Sequence, residues 1–235
     1  MSLDTLQQAT LPLRVFEECL RLNSIKAKPI VVGGWVRDRL MGLPSQETSD
    51  IDIEIFHIDF ENLQQFFSKE PHVAFPKFGV LRLRYADFSL PRIERCIGEN
   101  YNDFCVQIKP DLSFEEAGRR RDFTVNAIGW DPIAKKLRDP FHGMEAIEKK
   151  LLKPITVAFM EDSYRILRAA QLIARFDFTP DVQLLELGTQ MSYKTLSLKH
   201  IQHTKFILEI APYQEKALRF LEKIRWLSIV EALKA

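Results

Sequence analysis

Asp50 and Asp52 stand one residue apart at the head of an alternating run, Asp50-Ile51-Asp52-Ile53-Glu54-Ile55-Phe56. In a strand, residues two apart point to the same side. Asp50, Asp52 and Glu54 therefore share one face and the isoleucines the other. Paired carboxylates on one face are what two divalent metals need, and such a site suits phosphoryl chemistry. Glu54 either joins them or simply faces solvent. Upstream lies Val31-Val32-Gly33-Gly34-Trp35-Val36-Arg37-Asp38. A glycine pair between an apolar strand and a helix lets backbone N–H groups approach a phosphate with no Cβ in the way. The helix start behind it adds a positive dipole end. Glycine pairs usually mark turns, and alternating aspartates usually mark solvated strand faces. In this order and spacing, however, the two motifs describe a phosphate cradle beside a metal clamp.

The elements that must position these groups follow from pattern. Residues 29–32 read as a strand and 35–41 as a helix, closed by Gly42 and Pro44. Residues 50–56 form the cleanest strand. An amphipathic helix is expected within 3–22, starting at Pro12, with Leu13, Phe16 and Leu20 inward. A further helix is expected over 59–68, with Phe60, Leu63, Phe66 and Phe67 inward. Strands follow over 78–85 and 86–93, and a loop over 98–111. Ser113 with Glu116 three residues on matches a capping box and predicts a helix over 114–127. That helix would carry Arg119, Arg120, Arg121 and Asp122 around its circumference, so either at least one arginine points at the sheet edge or the triplet is a solvated basic face. A hairpin around Asp131-Pro132, a turn over 139–143 and a short helix through Lys150 complete the first part.

Composition changes near 155–158, and beyond Phe159 the patterns are helical. The stretch Glu161-Asp162-Ser163-Tyr164-Arg165 opens a helix reaching Arg175. Arg165 and Arg168 share its face, with Asp162 three residues before Arg165. Such an Asp–Arg pair is either an intrahelical ion pair or a donor–acceptor edge for a nucleobase. Two to four helices are expected over 181–235. The 235 residues are 46% hydrophobic with a net charge of +1, so any nucleic-acid surface must be local. Three widely spaced cysteines, Cys19, Cys96 and Cys105, fit reduced cytoplasmic thiols better than a disulfide or zinc framework. No apolar run reaches membrane-spanning length, no signal-peptide pattern opens the chain, and no protein partner can be inferred.

Five blocks stand in one order: GGWVRD (33–38), DID (50–52), RRDFTVNA (120–127), DPFHG (139–143) and EDSYRILRA (161–169). Together they resemble the class II tRNA nucleotidyltransferase and bacterial poly(A) polymerase family, over roughly residues 29–178. The resemblance implies an α+β fold: a nucleotidyltransferase-type head domain with a mixed, largely antiparallel sheet, then an all-helical neck. The corresponding boundaries are an N-terminal helix at 1–28, the head at 29–157 and the neck at 158–235. It implies that Asp50 and Asp52 hold two Mg²⁺ ions, with Asp87 ahead of Glu94 as candidate for a third carboxylate. Gly33, Gly34 and Arg37 would contact phosphates, and Arg121 and Asp122 the ribose and triphosphate. Asp162 and Arg165 would read the Watson–Crick edge of CTP or ATP, while Arg168 supports them or touches phosphate.

The implied reaction is template-independent addition of CMP and AMP to a tRNA 3′ end with release of pyrophosphate. Adenylate-only or poly(A) addition is the alternative, and a non-catalytic nucleotide- or RNA-binding remnant a second. Three departures from the family pattern bear on this. Lys153 and Gln171 each stand where the family usually has arginine. Family members also run further, into body and tail domains, which leaves either a shortened chain or an enzyme with a reduced RNA anchor.

Overall fold

The computed structural model describes residues 11–43, 51–96, 98 and 104–235. Asp50 and residues 1–10, ahead of the expected helix start at Pro12, lie outside the described residues. Pro12 precedes helix α1 (Leu13–Ser24), where its fixed φ and missing N–H cost nothing. The inward face of α1 is Val15, Glu18, Cys19 and Leu22, all buried. Leu13 and Leu20, expected inward, are 72% and 46% exposed. The 15-19-22 spacing makes the better-packed stripe, and it carries a carboxylate inward. Buried Glu18 is neutralised from the same helix, by Arg21 at 2.7 Å and Arg14 at 3.0 Å. Burial pushes the Cys19 thiol up to about 12.

The chain continues through β1 (Lys28–Val32), α2 (Gly34–Leu40), β2 (Asp52–Phe56), α3 (Phe60–Phe66), β3 (His72–Phe75) and β4 (Val80–Leu83). Next come β5 (Asp87–Ser89), β6 (Arg92–Cys96), β7 (Phe104–Ile108), α4 (Phe114–Gly118), β8 (Gly129–Asp131), β9 (Lys136–Arg138) and α5 (Gly143–Glu148). Seven strands form one sheet in the order β3-β4-β5-β2-β1-β8-β9, and β6 pairs with β7 in a separate ribbon. Only β2 and β5 run parallel; the other pairings within the large sheet are antiparallel. Ile53, Ile55, Leu63, Phe67 and Phe88 are fully buried, so the apolar faces of β2, α3 and β5 are core.

Three expectations change here. Strand β3 has no counterpart in the sequence pattern. The expected loop over 98–111 contains β7. The expected 114–127 helix ends at Gly118, followed by a turn and a 3₁₀ turn at Thr124–Asn126. The capping box is real, with both reciprocal bonds between Ser113 and Glu116. The helix stops because residues 122–131 are buried without interruption. A helix must turn part of its circumference outward, whereas an irregular path leading into β8 can hide every residue.

The chain divides into two compact units. The first comprises Met1–Arg95, Cys105–Arg120 and Val125–Met144; the second comprises Cys96–Phe104, Arg121–Thr124 and Glu145–Ala235. The second unit contains β10 (Leu151–Leu152), α6 (Tyr164–Phe176), β11 (Thr179–Pro180), α7 (Val182–Gln190), α8 (Leu198–Ile210), α9 (Gln214–Lys223) and α10 (Leu227–Lys234). From Glu145 onward its described residues are mostly helical, with the two-residue parallel ladder of β10 and β11 and an antiparallel bridge from Pro154 to Phe123. Helix α6 is its centre, buried over most of its length. Trp226 is buried too, and its indole N–H donates to the Gly188 carbonyl at 3.1 Å. Among the described residues, no helix is long and apolar enough to cross a membrane.

Candidate active site

Strand pairing brings the carboxylates of the first unit together. Val32, the last residue of β1, lies opposite Asp52, the first of β2. Asp52 in turn lies opposite Asp87, the first of β5, in the parallel pair. Asp52 is exposed while Ile53 behind it is fully buried, so the strand aims its carboxylate outward. The two aspartates are thus neighbours at one end of the sheet. Asp87 is gripped by Arg82 of β4, with Nε 3.0 Å from each carboxylate oxygen and Nη2 2.7 Å from Oδ2.

The glycine turn sits beside this end. Gly33 has φ +77, and a Cβ placed there would lie 3.0 Å from Asp52 Oδ2. Gly34 opens α2, and a Cβ on it would lie 3.3 Å from Arg37 Nη2. Arg37 is buried. Its Nε and Nη2 donate to Asp38 Oδ1 at 2.8 and 2.7 Å, and its Nη1 to Asn126 Oδ1 at 2.5 Å. The guanidinium therefore braces the glycine turn and ties it to the RRDFTVNA block. Asn126, buried beside the candidate site as the acceptor for Arg37, is not singled out by sequence reasoning; its one signal is membership of that block.

Glu54 does not face solvent. It is fully buried and accepts from Arg120 Nη2 at 2.9 Å. Arg120 is the arginine of the triplet that reaches the sheet. Burial works against its charge, but Glu54 and Glu94 hold its pKa above the ordinary value. Glu94 is an ion-pair partner, 2.6 Å from Arg92 Nε and 3.8 Å from Arg120. Burial lowers the Arg92 pKa, and the neighbouring Arg120 lowers it further.

In the second unit, Asp122 is buried with one oxygen accepting from the Phe123 N–H at 2.8 Å and the other from Arg168 Nε at 2.7 Å. Arg168 is half exposed, so it stands between that carboxylate and solvent. Arg121 shares the turn after α4 with Asp122, off any helix. Asp162 lies before α6 in extended backbone (φ −137, ψ 106), not inside the helix as expected. The reason is local: its carboxylate accepts the Tyr164 N–H at 2.9 Å, a turn that competes with helical hydrogen bonding. Burial raises the Asp162 pKa, opposed by that N–H and by Arg165, His200 and Arg168. Arg165 is buried and donates to the Ala158 carbonyl at 3.0 Å. Gln171 donates to Thr204 Oγ1 at 2.8 Å, and Lys153 is exposed, its carbonyl accepting the Thr124 N–H at 3.0 Å.

The first unit thus offers hard carboxylate oxygens beside a backbone cradle. The second offers an acceptor, Asp162, and arginine donors at the start of one helix. Residues 30–153 match the poly A polymerase head domain family. The CCA-adding enzyme of Coxiella burnetii is 37% identical over 179 residues, which cover 75% of this chain and 46% of that protein. The chain therefore spans about half the length of the curated relatives it matches. A Bacillus stearothermophilus CCA-adding enzyme in complex with CTP superposes with a TM-score of 0.68 at 24% identity, covering 88% of this chain and 50% of that one. A Thermotoga maritima CCA-adding enzyme complexed with tRNA-CCA gives 0.71 at 21%, covering 96% and 54%. At those identities the likeness establishes the fold, an α+β chain with a mixed, mostly antiparallel sheet.

Proposed function

Because the chain belongs to the poly A polymerase head domain family, we propose that it is a template-independent RNA nucleotidyltransferase. It adds CMP and AMP from CTP and ATP to a tRNA 3′ end and releases pyrophosphate. The observation that carries this reading is the alignment of Asp52 with Asp87 beside a glycine turn where an added Cβ would press on the Asp52 carboxylate.

Asp50, Asp52 and Asp87 are the residues that would hold Mg²⁺. Carboxylate oxygens are the hard donors that this ion prefers, and Asp52 presents its own outward. Bound there, Mg²⁺ would lower the pKa of the primer hydroxyl and offset charge on the leaving pyrophosphate. The backbone at Gly33 and Gly34 cradles phosphate, with Arg37 keeping the turn in shape from within. Asp122 accepts from the ribose 2′-hydroxyl, and Arg121 supplies positive charge to the triphosphate. Arg168 orients Asp122. Asp162 and Arg165 select the base. Cytosine N4 and adenine N6 are both donors and suit a carboxylate, while uracil and guanine present carbonyls there and leave it unpaired.

The test incubates the chain with Mg²⁺, a tRNA lacking its CCA end, and each labelled NTP. Incorporation of C and A, but not U or G, is expected, and Asp52→Ala should abolish it. Absence of incorporation at high protein concentration overturns the reading. An unlimited run of A with ATP alone moves it to polyadenylation.

A further inference from the structure

The start of α6 is held by one later segment of the chain. Ser163 Oγ donates to the Ser192 carbonyl at 2.5 Å, and Thr195 Oγ1 donates to Ser163 Oγ at 3.1 Å. The Tyr164 ring stacks on the His200 ring, with centroids 4.3 Å apart and planes 24° from parallel. Two turns on, buried Gln171 donates to buried Thr204, which donates to the His200 carbonyl at 2.9 Å. Tyr164 and Gln171 are seven residues apart and lie on one side of α6; His200 and Thr204 are four apart on α8. The His200 ring is also set by its own helix. Ser197 Oγ accepts the His200 N–H at 3.2 Å, and the Ser197 N–H reaches back to the ring Nδ1 at 3.5 Å.

We propose that the segment from Ser192 to Thr204 is a specificity-determining clamp, with His200 as the residue that positions the Asp162 carboxylate through Tyr164. This rests on the reading of Asp162 as the base-selecting acceptor. Asp162 precedes the helix in extended backbone; its carbonyl accepts the Arg165 N–H at 3.1 Å, but no helical turn fixes its side chain. Its carboxylate is set by the amide of Tyr164, and Tyr164 is set by the His200 ring. Hydrogen-bond readout is steep in distance and angle. A carboxylate that drifts with a loosened Tyr164 still offers negative charge but no longer separates a base amino group from a carbonyl. The contacts at the helix start are hydroxyls and a stacked ring at partly exposed positions, not the apolar packing that holds α6 further along. They fix an orientation more than they add burial.

The experiment measures equilibrium binding of CTP, ATP, UTP and GTP, each with Mg²⁺, to the full chain and its variants, which needs neither RNA nor turnover. His200→Ala should reduce the preference for CTP over UTP by about tenfold, and His200→Phe, which keeps the ring, should restore it. Thr195→Val at an exposed position provides a second loosening of the same clamp and should reduce the preference in the same direction. Ile210→Ala, exposed at the far end of the same helix and outside the clamp, should leave it unchanged. If His200→Ala weakens all four nucleotides equally, or Phe does no better than Ala, the clamp is overturned. If His200→Ala does not fold, the Thr195→Val result decides. Asp162→Asn separates the two ideas. Preference lost there but intact in both clamp variants overturns the clamp alone. Preference intact in Asp162→Asn overturns the base-selecting role, and the clamp with it.

Discussion

Gly33 faces Asp52 at the end of the β1–β2 pair: a Cβ added to Gly33 would stand 3.0 Å from Asp52 Oδ2, on a backbone already at φ +77. Gly33→Ala should therefore do two separable things. The backbone, at φ +77 with ψ −147, lies in a region that essentially only glycine occupies and costs a residue with a side chain up to about 3 kcal/mol, and the new methyl pushes the carboxylate off its position. Gly42 supplies the control, with φ +73 and nothing within 4 Å of the place a Cβ would take. Gly33→Ala and Gly42→Ala should both lower the melting temperature, since each puts a side chain on backbone at positive φ. Only Gly33→Ala should lose nucleotide incorporation, by roughly a hundredfold, as expected when catalytic geometry shifts by an ångström. Equal activity losses in the two variants would remove Gly33 from the site.

Glu54 and Arg120 form a buried pair at 2.9 Å, with Glu94 a more distant second partner of the arginine at 3.8 Å. Breaking such a pair strands a charge, whereas replacing both members by apolar groups does not. Glu54→Gln should cost about 3 kcal/mol, read as a fall in the denaturation midpoint. Glu54→Leu combined with Arg120→Met should recover most of it. A double variant as unstable as the single one would mean that the pair is not what matters at this position.

The same pair shows how far the sequence carries. Alternation in β2 puts Asp52 and Glu54 on one side, which is right, but periodicity says nothing about what covers that side. Asp52 stays exposed at the strand end, while Arg120 from a distant turn covers Glu54. Likewise Ser113 and Glu116 announce a helix start from local chemistry, yet the helix stops at Gly118 because tertiary burial of residues 122–131 demands another path. Asp87 is legible as a carboxylate on a strand. Its position opposite Asp52 depends on a parallel pairing that no local pattern encodes. His200 and Tyr164 carry no motif that joins them, and only the packing of α6 and α8 brings them together.

Arg168 holds Asp122 through Nε at 2.7 Å while remaining half exposed. Arg168→Lys keeps a positive charge near that carboxylate but loses the planar fork. Stability should change by no more than about 1 kcal/mol, since a positive charge stays beside the buried carboxylate and the arginine's side of the pair is open to solvent. The KM for CTP and ATP should rise together by about tenfold, the loss of one charge-assisted hydrogen bond in orienting Asp122, with little change in kcat. Initial rates at saturating tRNA check this. A change in kcat with KM constant would exclude the orienting role.

Asp162 gives a pH dependence whose sign follows from its environment. Burial raises its pKa above the ordinary carboxylate value, so the folded protein binds the proton more readily than the unfolded chain. Below the unfolded pKa both states are protonated and Asp162 costs nothing. As pH rises through the unfolded and then the folded pKa, the unfolded chain ionises first, and the folded state is left with a carboxylate poorly solvated by water. Stability drawn from this residue is therefore lost on going from acid to neutral pH. Asp162→Asn keeps an acceptor for the Tyr164 N–H and removes the ionisation. The variant should melt higher than the parent at neutral pH, and the difference should shrink toward zero as pH falls below the unfolded carboxylate pKa. It should also lose its preference for CTP and ATP over UTP and GTP, since an amide can donate to the carbonyl that a carboxylate rejects. Thermal melting from about pH 3 to 8, a range that brackets the carboxylate titration, set beside nucleotide selectivity at neutral pH, tests both halves. A variant less stable than the parent across the whole range would mean that the carboxylate is held in place for stability, with its partners more than offsetting its burial.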